Sequence, residues 1–474
     1  MDKLKFLLTT SLLFALTITT FGQTIPHRDK YVAPAVCDLL IVGGTVVTMD
    51  GGRRVIEDGA VAIKDGKILK VGPRAVVTKN LTAKRTVNAA GKAVIPGLIN
   101  THTHAAMSLF RGISDDLDLN DWLTKFIFPA EAKNVNEEFV RAGTRLGMAE
   151  MIRGGTTTYC DMYYFEDAVA DETKKAGMRG VLGETIIRFP VSDNKTPEAA
   201  LAYTEKFITK WKNDPLIVPA AAPHAPYTLE TATLKAIKAQ SDRLNSTVVI
   251  HVAETRKERD DIFAQFGKTP ASSLASIGFL SDRTIAAHSV WLRPDEIDLY
   301  KSYGVGSAHC PTSNMKLASG IAPIPEMIAK DVAVGLGTDG AASNNDLDMW
   351  EEMDLAAKLH KVSTNDPKTL PAETAFEMAT IRGARALHLD KITGSLEAGK
   401  RADIAIVDLD SLNQMPWFNI YSSLVYSTKA ADVRTVVIEG RIVMLDRRLL
   451  TLNENVIKKD ANAYRKKIID SLKN

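Results

Sequence analysis

From about residue 94 onward, short apolar runs alternate with longer stretches in which apolar residues recur at helical spacing. This alternation is typical of repeated strand–helix units whose strands form a parallel sheet. The eight candidate strands are residues 94–100, 156–162, 179–185, 216–222, 247–252, 284–287, 304–308 and 332–337. Eight such strands predict an α/β protein with a closed (β/α)8 barrel. An open doubly wound sheet is the alternative, although no Walker-type lysine motif supports it.

Both ends of the chain show a different pattern, with short alternating strands and tight turns. Residues 61–71 predict a hairpin, because Asp65 and Gly66 accept the positive φ angles of a tight turn. Residues 436–443 predict another. We expect segments 23–91 and 390–450 to form one small β-sandwich domain, with the barrel, residues 92–389, inserted between them. Apolar residues at helical spacing predict a C-terminal helix within 451–474.

The N-terminus has the layout of a secretory signal peptide. Lys3 and Lys5 precede an uncharged run of 16 residues, Phe6 to Phe21, which ends in small and polar residues. The run is shorter than the roughly 20 residues of a membrane-spanning helix. We therefore expect residues 1–22 to be cleaved near Gly22 and the protein to be exported, into the periplasm if the source is Gram-negative. An uncleaved anchor is the alternative.

Composition excludes several classes of partner. The formal net charge is +2, and no lysine or arginine run marks a nucleic-acid groove or an anionic membrane patch. A small-molecule substrate is expected, and a homo-oligomer is possible. Cys37, Cys160 and Cys310 are widely spaced without a C-x-x-C motif, which favours buried thiols over a disulfide framework and leaves one chance disulfide open.

Polar residues gather at the carboxyl ends of the predicted strands, which surround one mouth in a barrel. These residues are His102, His104, His224, His251, Glu254, His288 and Asp339. His102 and His104 are separated by one residue, so they project from the same side of a strand. With His251 and Asp339 they form a nitrogen and oxygen ligand set suited to one zinc ion, with iron(II) as the alternative. One histidine alone usually indicates packing, whereas five at strand ends favour a metal site.

Two further residues have catalytic chemistry near this predicted metal. Glu254 can carry protons between an activated water and a leaving group, and His288 can orient that water. A helix-capping or salt-bridged role for Glu254 is the structural alternative. His27, His360 and His388 lack a strand-end position and are expected to be surface or packing residues. His309 ends strand seven, and the sequence leaves open whether it faces the mouth.

These motifs resemble the amidohydrolase superfamily, and within it the deaminases that act on methylthioadenosine and S-adenosylhomocysteine. The matching segments are 96–104, 223–227, 251–255, 309–314 and 337–340. The resemblance implies His102, His104, His251 and Asp339 as metal ligands and Glu254, His288 and Asp339 as catalytic residues. It also implies substrate contacts from residues that carry no such signal of their own, because Trp122 alone indicates core and Glu131 alone indicates a surface charge. The implied substrate-binding residues are Trp122, Glu131, Arg188, His224 and Glu254.

Two departures from the superfamily pattern matter. Binuclear members carry a metal-bridging lysine on strand four, where this chain has His224, so one metal ion is expected. Arg188 matches an arginine that reaches the substrate tail, but Arg179 is also close. The resemblance implies a hydrolytic deaminase of an aminopurine nucleoside. The alternatives are a hydrolase of another heterocycle, such as a guanine, pterin or cytosine deaminase, a triazine hydrolase or a cyclic amidase, and a catalytically inactive binding protein.

Overall fold

The computed structural model describes residues 35–473. The predicted signal peptide, the segment that follows it and His27 lie outside the described residues, so export remains a prediction. Among the helices of residues 35–473, none combines the length and apolar character needed to cross a membrane.

The described residues form two sheets, one of nine strands and one of eight. In chain order, the strands are β1 (Ala35–Val47), β2 (Val55–Lys64), β3 (Lys67–Pro73), β4 (Leu81–Asn88), β5 (Lys92–Pro96), β6 (Leu98–Thr103), β7 (Thr156–Tyr163), β8 (Arg179–Ile186), β9 (Ile217–Pro223), β10 (Thr247–Val252), β11 (Thr284–His288), β12 (Gly306–His309), β13 (Ala333–Leu336), β14 (Ile404–Asp408), β15 (Val433–Ile438), β16 (Arg441–Leu445) and β17 (Arg448–Leu449).

Most helices connect the strands of the smaller sheet. The helices are α1 (Arg74–Val77), α2 (Leu119–Asp121), α3 (Phe128–Asn134), α4 (Glu137–Arg153), α5 (Glu166–Ala176), α6 (Pro197–Trp211), α7 (Thr231–Leu244), α8 (Arg256–Phe266), α9 (Pro270–Ser276), α10 (Pro294–Tyr303), α11 (Pro311–Lys316), α12 (Ile324–Ala329), α13 (Met349–Thr364), α14 (Ala372–Met378), α15 (Ile381–Ala386), α16 (Ile420–Ser422) and α17 (Glu454–Leu472). Helices α1 and α16 lie between strands of the larger sheet. Single turns of tighter or wider helix occupy Ala105–Phe110, Trp122–Ile127, Pro226–Thr228, Ser423–Ser427 and Ala430–Asp432.

The eight-stranded sheet is the predicted barrel. Strands β6 to β13 pair in sequence order and all in parallel. The first and last strands approach closely, because a Cβ on Gly335 of β13 would lie 2.3 Å from Thr101 of β6. The backbone N–H of Asp339 also donates to the carbonyl of His102 at 3.0 Å. The barrel is therefore nearly closed, and the carboxyl ends of its strands face one mouth.

The nine-stranded sheet combines both ends of the chain, as predicted. It runs in the order β17-β16-β15-β14-β5-β1-β2-β3, with β4 paired to β1. An apolar cluster of its own includes Ile41 and Val61 from the N-terminal part and Ile404 and Val437 from the C-terminal part. The module therefore has a core to which both chain ends contribute.

The predicted strand 94–100 is wrong in one respect, because it is two strands. Residues up to Pro96 belong to the nine-stranded sheet, and the barrel begins at Leu98. Gly97 lies between them, where a Cβ would come within 2.1 Å of the Thr157 side chain, so only glycine fits. An apolar run that passes directly from one sheet to another has no polar break to mark the change.

The opposite end of the barrel is joined to the nine-stranded sheet by a buried ion-pair cluster. Arg179, at the start of β8, donates to Asp403 Oδ2 at 3.0 Å and to Glu439 Oε2 at 2.7 Å. The side chains of Arg179 and Asp403 are 3% and 0% exposed. Arg401 pairs with the other oxygen of Glu439. These charges hold the two sheets together far from the mouth.

The C-terminal helix α17 packs on the barrel, as its apolar spacing predicts. Ile457 and Ile468 are its buried residues. Asn134 Nδ2, at the end of α3, donates to Ser471 Oγ at 2.8 Å. Helix α17 thus contacts and supports α3, which borders the barrel mouth.

Candidate active site

One chamber at the carboxyl ends of the barrel strands brings most of the predicted site residues together. Its walls include His104, Trp122, Glu131, His224, His251, Glu254, His288 and Asp339. His102 lies directly behind, with its ring centroid 4.9 Å from those of both His104 and His251. The chamber opens into an outer cavity of about 800 Å³ that shares the side chains of Leu123, Phe128 and Tyr227.

The four predicted metal ligands have the spacing of a single-ion site. Ring nitrogens of His102, His104 and His251 lie within 4.8 Å of one another, and so do ligand atoms of His102, His288 and Asp339. Asp339 Oδ1 is 3.5 Å from His102 Nε2 and 3.2 Å from His104 Nε2. Two ligands about 2.1 Å from a tetrahedral zinc ion are themselves about 3.4 Å apart.

The hydrogen bonding of the imidazoles also fits a metal. His102 is 0% exposed, and within residues 35–473 neither of its ring nitrogens has a hydrogen-bond partner. Such groups are costly to bury unless something else satisfies them. His104 Nδ1 lies 2.6 Å from the carbonyl of Met162 and His251 Nδ1 lies 2.7 Å from the carbonyl of His224. Each therefore donates from Nδ1, which leaves the Nε2 lone pair for a cation.

Charge in the site is arranged for a cation. Burial lowers the pKa of His102 to about 4 and lowers the pKa of His251 well below its ordinary value, so both rings are neutral at pH 7. Burial alone would raise the pKa of Asp339, but the neighbouring His102 and His104 hold it well below its usual range. Burial alone would lower the pKa of His104, but the neighbouring Asp339 raises it to about 9. Asp339 is thus an anion beside two neutral imidazoles and one basic imidazole, whose Nε2 must release its proton when a cation binds.

Hydrogen bonds fix the carboxylate of Asp339. Its Oδ2 accepts from Ser313 Oγ at 2.7 Å and from Ser343 Oγ at 2.9 Å. Its Oδ1 accepts from the backbone N–H of Gly340 at 2.8 Å and faces the histidines. The backbone of Asp339 is left-handed, with φ of +60°. These contacts aim one oxygen at the metal position.

Glu254 and His288 lie beside this ligand set. His288 Nε2 is 3.8 Å from Glu254 Oε2, and His288 Nδ1 is 3.0 Å from Asn314 Oδ1. Because an amide oxygen only accepts, His288 donates from Nδ1, which turns Nε2 toward Glu254 and the chamber. Burial raises the pKa of Glu254. A buried carboxyl group with a raised pKa is a candidate for proton transfer, and Glu254 is such a group beside the predicted ligands.

The predicted substrate-binding residues Glu131 and Trp122 also line the chamber, and each is 6% exposed. From its residue type alone Glu131 was expected at the surface, and that expectation is wrong. Its Oε1 accepts from Tyr163 at 2.7 Å, and its Oε2 lies 3.5 Å from the hydroxyl of Tyr164. Burial raises the pKa of Glu131 to about 7. Glu131 is thus a buried acceptor supported by two hydroxyl donors.

Arg188 and Arg179 lie elsewhere. Arg188 is exposed just beyond β8 and is not among the residues that line the chamber, so its contact with a substrate tail remains a prediction. Arg179 is at the opposite end of the barrel in the buried ion-pair cluster. Arg188 is therefore the better placed of the two.

Within residues 35–473, the remaining histidines and the cysteines are packing residues. His309 points away from the mouth, with Nε2 3.2 Å from Nε2 of the buried His360. His388 is half-buried next to β11. The three cysteines are buried and free in the described part of the chain, so the alternative of a chance disulfide does not apply there.

The sequence did not identify the residues that form hydrogen bonds to the predicted catalytic and binding groups. Asn314 and Ser313 stand in the motif 309–314 and could have been found there as polar side chains after strand seven. Tyr163 is the last residue of β7 and is followed by Tyr164, and from the sequence this pair indicates only aromatic packing. Glu258 has the sequence of an ordinary helix-capping residue. For none of these residues does the sequence pattern show which group it forms a hydrogen bond with.

Comparisons with known proteins agree with this geometry. Residues 93–443 match the amidohydrolase family. The chain belongs to the amidohydrolase family. It is 48% identical to 5-methylthioadenosine/S-adenosylhomocysteine deaminase of Syntrophobacter fumaroxidans, over 88% of this chain and 95% of that protein. It is 44% identical to deaminase 1 of the same name from Syntrophus aciditrophicus, over 92% and 98%.

A solved structure extends the likeness to three dimensions. The zinc-bound adenosine deaminase of Xanthomonas campestris superimposes with a TM-score of 0.91 at 40% identity, covering 92% of this chain and all of that one. This amidohydrolase is therefore a hydrolase of carbon–nitrogen bonds with the metal-dependent fold of its family.

Proposed function

We propose that this amidohydrolase is a hydrolytic deaminase that releases ammonia from an aminopurine nucleoside such as methylthioadenosine, S-adenosylhomocysteine or adenosine. The proposal depends most on one observation, which is that the predicted metal and proton-transfer residues share one chamber with a predicted substrate-binding residue. Three members of the ligand set (His104, His251 and Asp339) and the Glu254–His288 pair line this chamber, and the buried acceptor Glu131 lines it as well. Relatives named for these substrates support the choice of nucleoside.

His102, His104, His251 and Asp339 would hold one divalent ion, which we propose to be zinc. When bound, the ion supplies the Lewis acidity that makes a water molecule nucleophilic near neutral pH. Asp339 Oδ1 faces the ligand cluster as an anion, so it can accept a proton from the attacking water. Its second oxygen stays occupied by two serine hydroxyls, which keeps the carboxylate from rotating.

Glu254 carries the other proton transfer. Its raised pKa allows it to protonate a ring nitrogen next to the amine-bearing carbon, while water oxygen forms the new bond to that carbon. The proton taken up by Asp339 passes to the amino group as the carbon–nitrogen bond breaks, and ammonia leaves. The remaining hydroxyl proton returns to Glu254, and the water oxygen becomes the carbonyl oxygen of the product. His288, held by Asn314, lies where it can stabilise the charge of the tetrahedral adduct.

The test is ammonia release from a panel of aminated heterocycles. Zinc-loaded protein is expected to release ammonia from the three nucleosides and to lose activity when the metal is chelated. Glu254→Gln should keep its zinc and lose at least about 100-fold in kcat, as expected for loss of a general acid. Release of chloride, of another amine or of a carboxylate product, or no release from any aminopurine, would contradict the proposal.

A further inference from the structure

The segment Thr255-Arg256-Lys257-Glu258 opens helix α8 and has the sequence of a capping box. Thr255 plays its ordinary part, because its side-chain oxygen accepts from the backbone N–H of Glu258 at 3.1 Å. In an ordinary capping box, the glutamate would reach back to the N–H of the capping threonine. Here its hydrogen bonds go to the two residues before the threonine.

The carboxylate of Glu258 spans the backbone next to the catalytic glutamate. Its Oε1 accepts from the N–H of Ala253 at 2.9 Å, and its Oε2 accepts from the N–H of Glu254 at 2.8 Å. Glu258 is 5% exposed. Both carboxylate oxygens are therefore committed to one short stretch of backbone and shielded from water.

This stretch of backbone needs support. Ala253 has a left-handed backbone, with φ of +53°, which is unfavourable for a residue with a Cβ. The turn lets the chain leave β10 and directs the Glu254 side chain into the chamber. The carbonyl of Ala253 is held from the other side by the N–H of Trp291 at 2.9 Å. Glu258 accepts from the N–H groups of Ala253 and Glu254 in the same turn.

We propose that Glu258 is a positioning residue that holds the Ala253–Glu254 turn, and so places the Glu254 carboxylate for proton transfer. The proposal rests on the proposed function, because Glu254 is the proton carrier in that reaction. Glu258 itself touches backbone and is not among the residues that line the inner chamber. Its effect reaches the substrate through the geometry of Glu254.

The chain offers a matched control in Glu296. It occupies the same third position of its helix, α10, and its Oε2 accepts from the N–H of Arg293 at 3.1 Å. Its Oε1 accepts from the N–H of Ser272 at 3.0 Å, and its side chain is 0% exposed. Glu296 therefore caps and packs as Glu258 does but holds no catalytic residue.

The experiment compares Glu258→Gln with Glu296→Gln in zinc-loaded protein. A glutamine amide can accept at only one of its two ends, so each variant loses at least one of the hydrogen bonds that its carboxylate accepts, and both should lower Tm. Only Glu258→Gln should lower kcat, by about 10- to 100-fold, because small misplacements of a catalytic group cost that much. KM and zinc content should stay within about twofold. In a Glu254→Gln background, Glu258→Gln should lower kcat no further.

Amide hydrogen exchange gives a readout that needs no substrate. The N–H groups of Ala253 and Glu254 should exchange at least about tenfold faster in Glu258→Gln. If wild-type protein deaminates nothing, the proposed function fails while the exchange result still decides the proposal. Unchanged exchange, a kcat within twofold of wild type, or an equal kcat loss in Glu296→Gln would each overturn it. If Glu258→Gln does not fold, Glu258→Asp, whose shorter side chain cannot reach both N–H groups, carries the same expectations.

Discussion

Replacing Glu131 with glutamine should stabilise the protein and damage its affinity for nucleosides at the same time. Burial raises the pKa of this carboxyl from 4.5 to about 7. The unfolded chain releases the proton near pH 4.5, whereas the folded protein keeps it until about pH 7. The stability contributed by the protonated form is therefore present below pH 4.5 and lost as pH rises through 7.

The size of this effect follows from the two pKa values. The ionised carboxylate should lower the free energy of unfolding by about 1 kcal/mol at pH 5 and about 3 kcal/mol at pH 8. Glutamine does not titrate, so the variant escapes this loss while keeping an acceptor for the Tyr163 hydroxyl. For a chain of this length about 1 kcal/mol corresponds to about 1 °C in Tm.

The assay is thermal unfolding of zinc-loaded wild type and Glu131→Gln at pH 5 and pH 8. The Tm of the variant relative to wild type should rise by about 2 °C between the two pH values. Other buried carboxyl groups titrate in both proteins and cancel in the difference. The KM for adenosine-type nucleosides should rise at least about tenfold, since a charge-assisted hydrogen bond is lost. An equal Tm difference at both pH values would refute the burial argument.

Two further predictions concern residues at either end of the barrel. Tyr163→Phe removes the 2.7 Å hydrogen bond to Glu131 and should raise KM about tenfold with zinc content unchanged. Steady-state kinetics and metal analysis measure the two quantities. An unchanged KM would contradict the view that Tyr163 supports Glu131. Arg179→Met leaves Asp403 buried without its ion-pair partner and should lower the free energy of unfolding by about 3–5 kcal/mol, which thermal unfolding would show as a lower Tm. Below the unfolding transition kcat should be unchanged, because the ion-pair cluster is far from the chamber. A Tm equal to that of wild type would show that the cluster does not stabilise the fold.

The barrel and its ligand set could be predicted from the sequence because two signals coincide. Apolar runs at strand spacing locate β6 to β13, and the histidines and Asp339 stand where those runs end. Parallel strands bring their carboxyl ends together, so residues far apart in sequence share one mouth. Each predicted ligand could therefore be placed at the mouth before any distance was known.

What the sequence could not predict depends on contacts between distant elements. The change of sheet at Gly97 depends on the nearby Thr157, and period-two alternation says nothing about which sheet a strand joins. Glu131 is buried against the tyrosines at the end of β7, a contact that its residue type, which alone indicates a surface position, does not reveal. Glu258 follows the capping pattern, but the pattern does not reveal that its carboxylate turns to Ala253 and Glu254.

The position of β14 has a consequence for how the protein is made. It pairs with β5, about 300 positions earlier in the chain, and β5 leads directly into the strand that carries His102. During translation, the edge of β5 that pairs with β14 has no partner until nearly the whole polypeptide has been synthesised. A nascent chain that stops before β14 contains all four predicted ligands yet lacks the strand that anchors the first of them. We therefore expect the predicted metal site to form fully only after β14 has been synthesised.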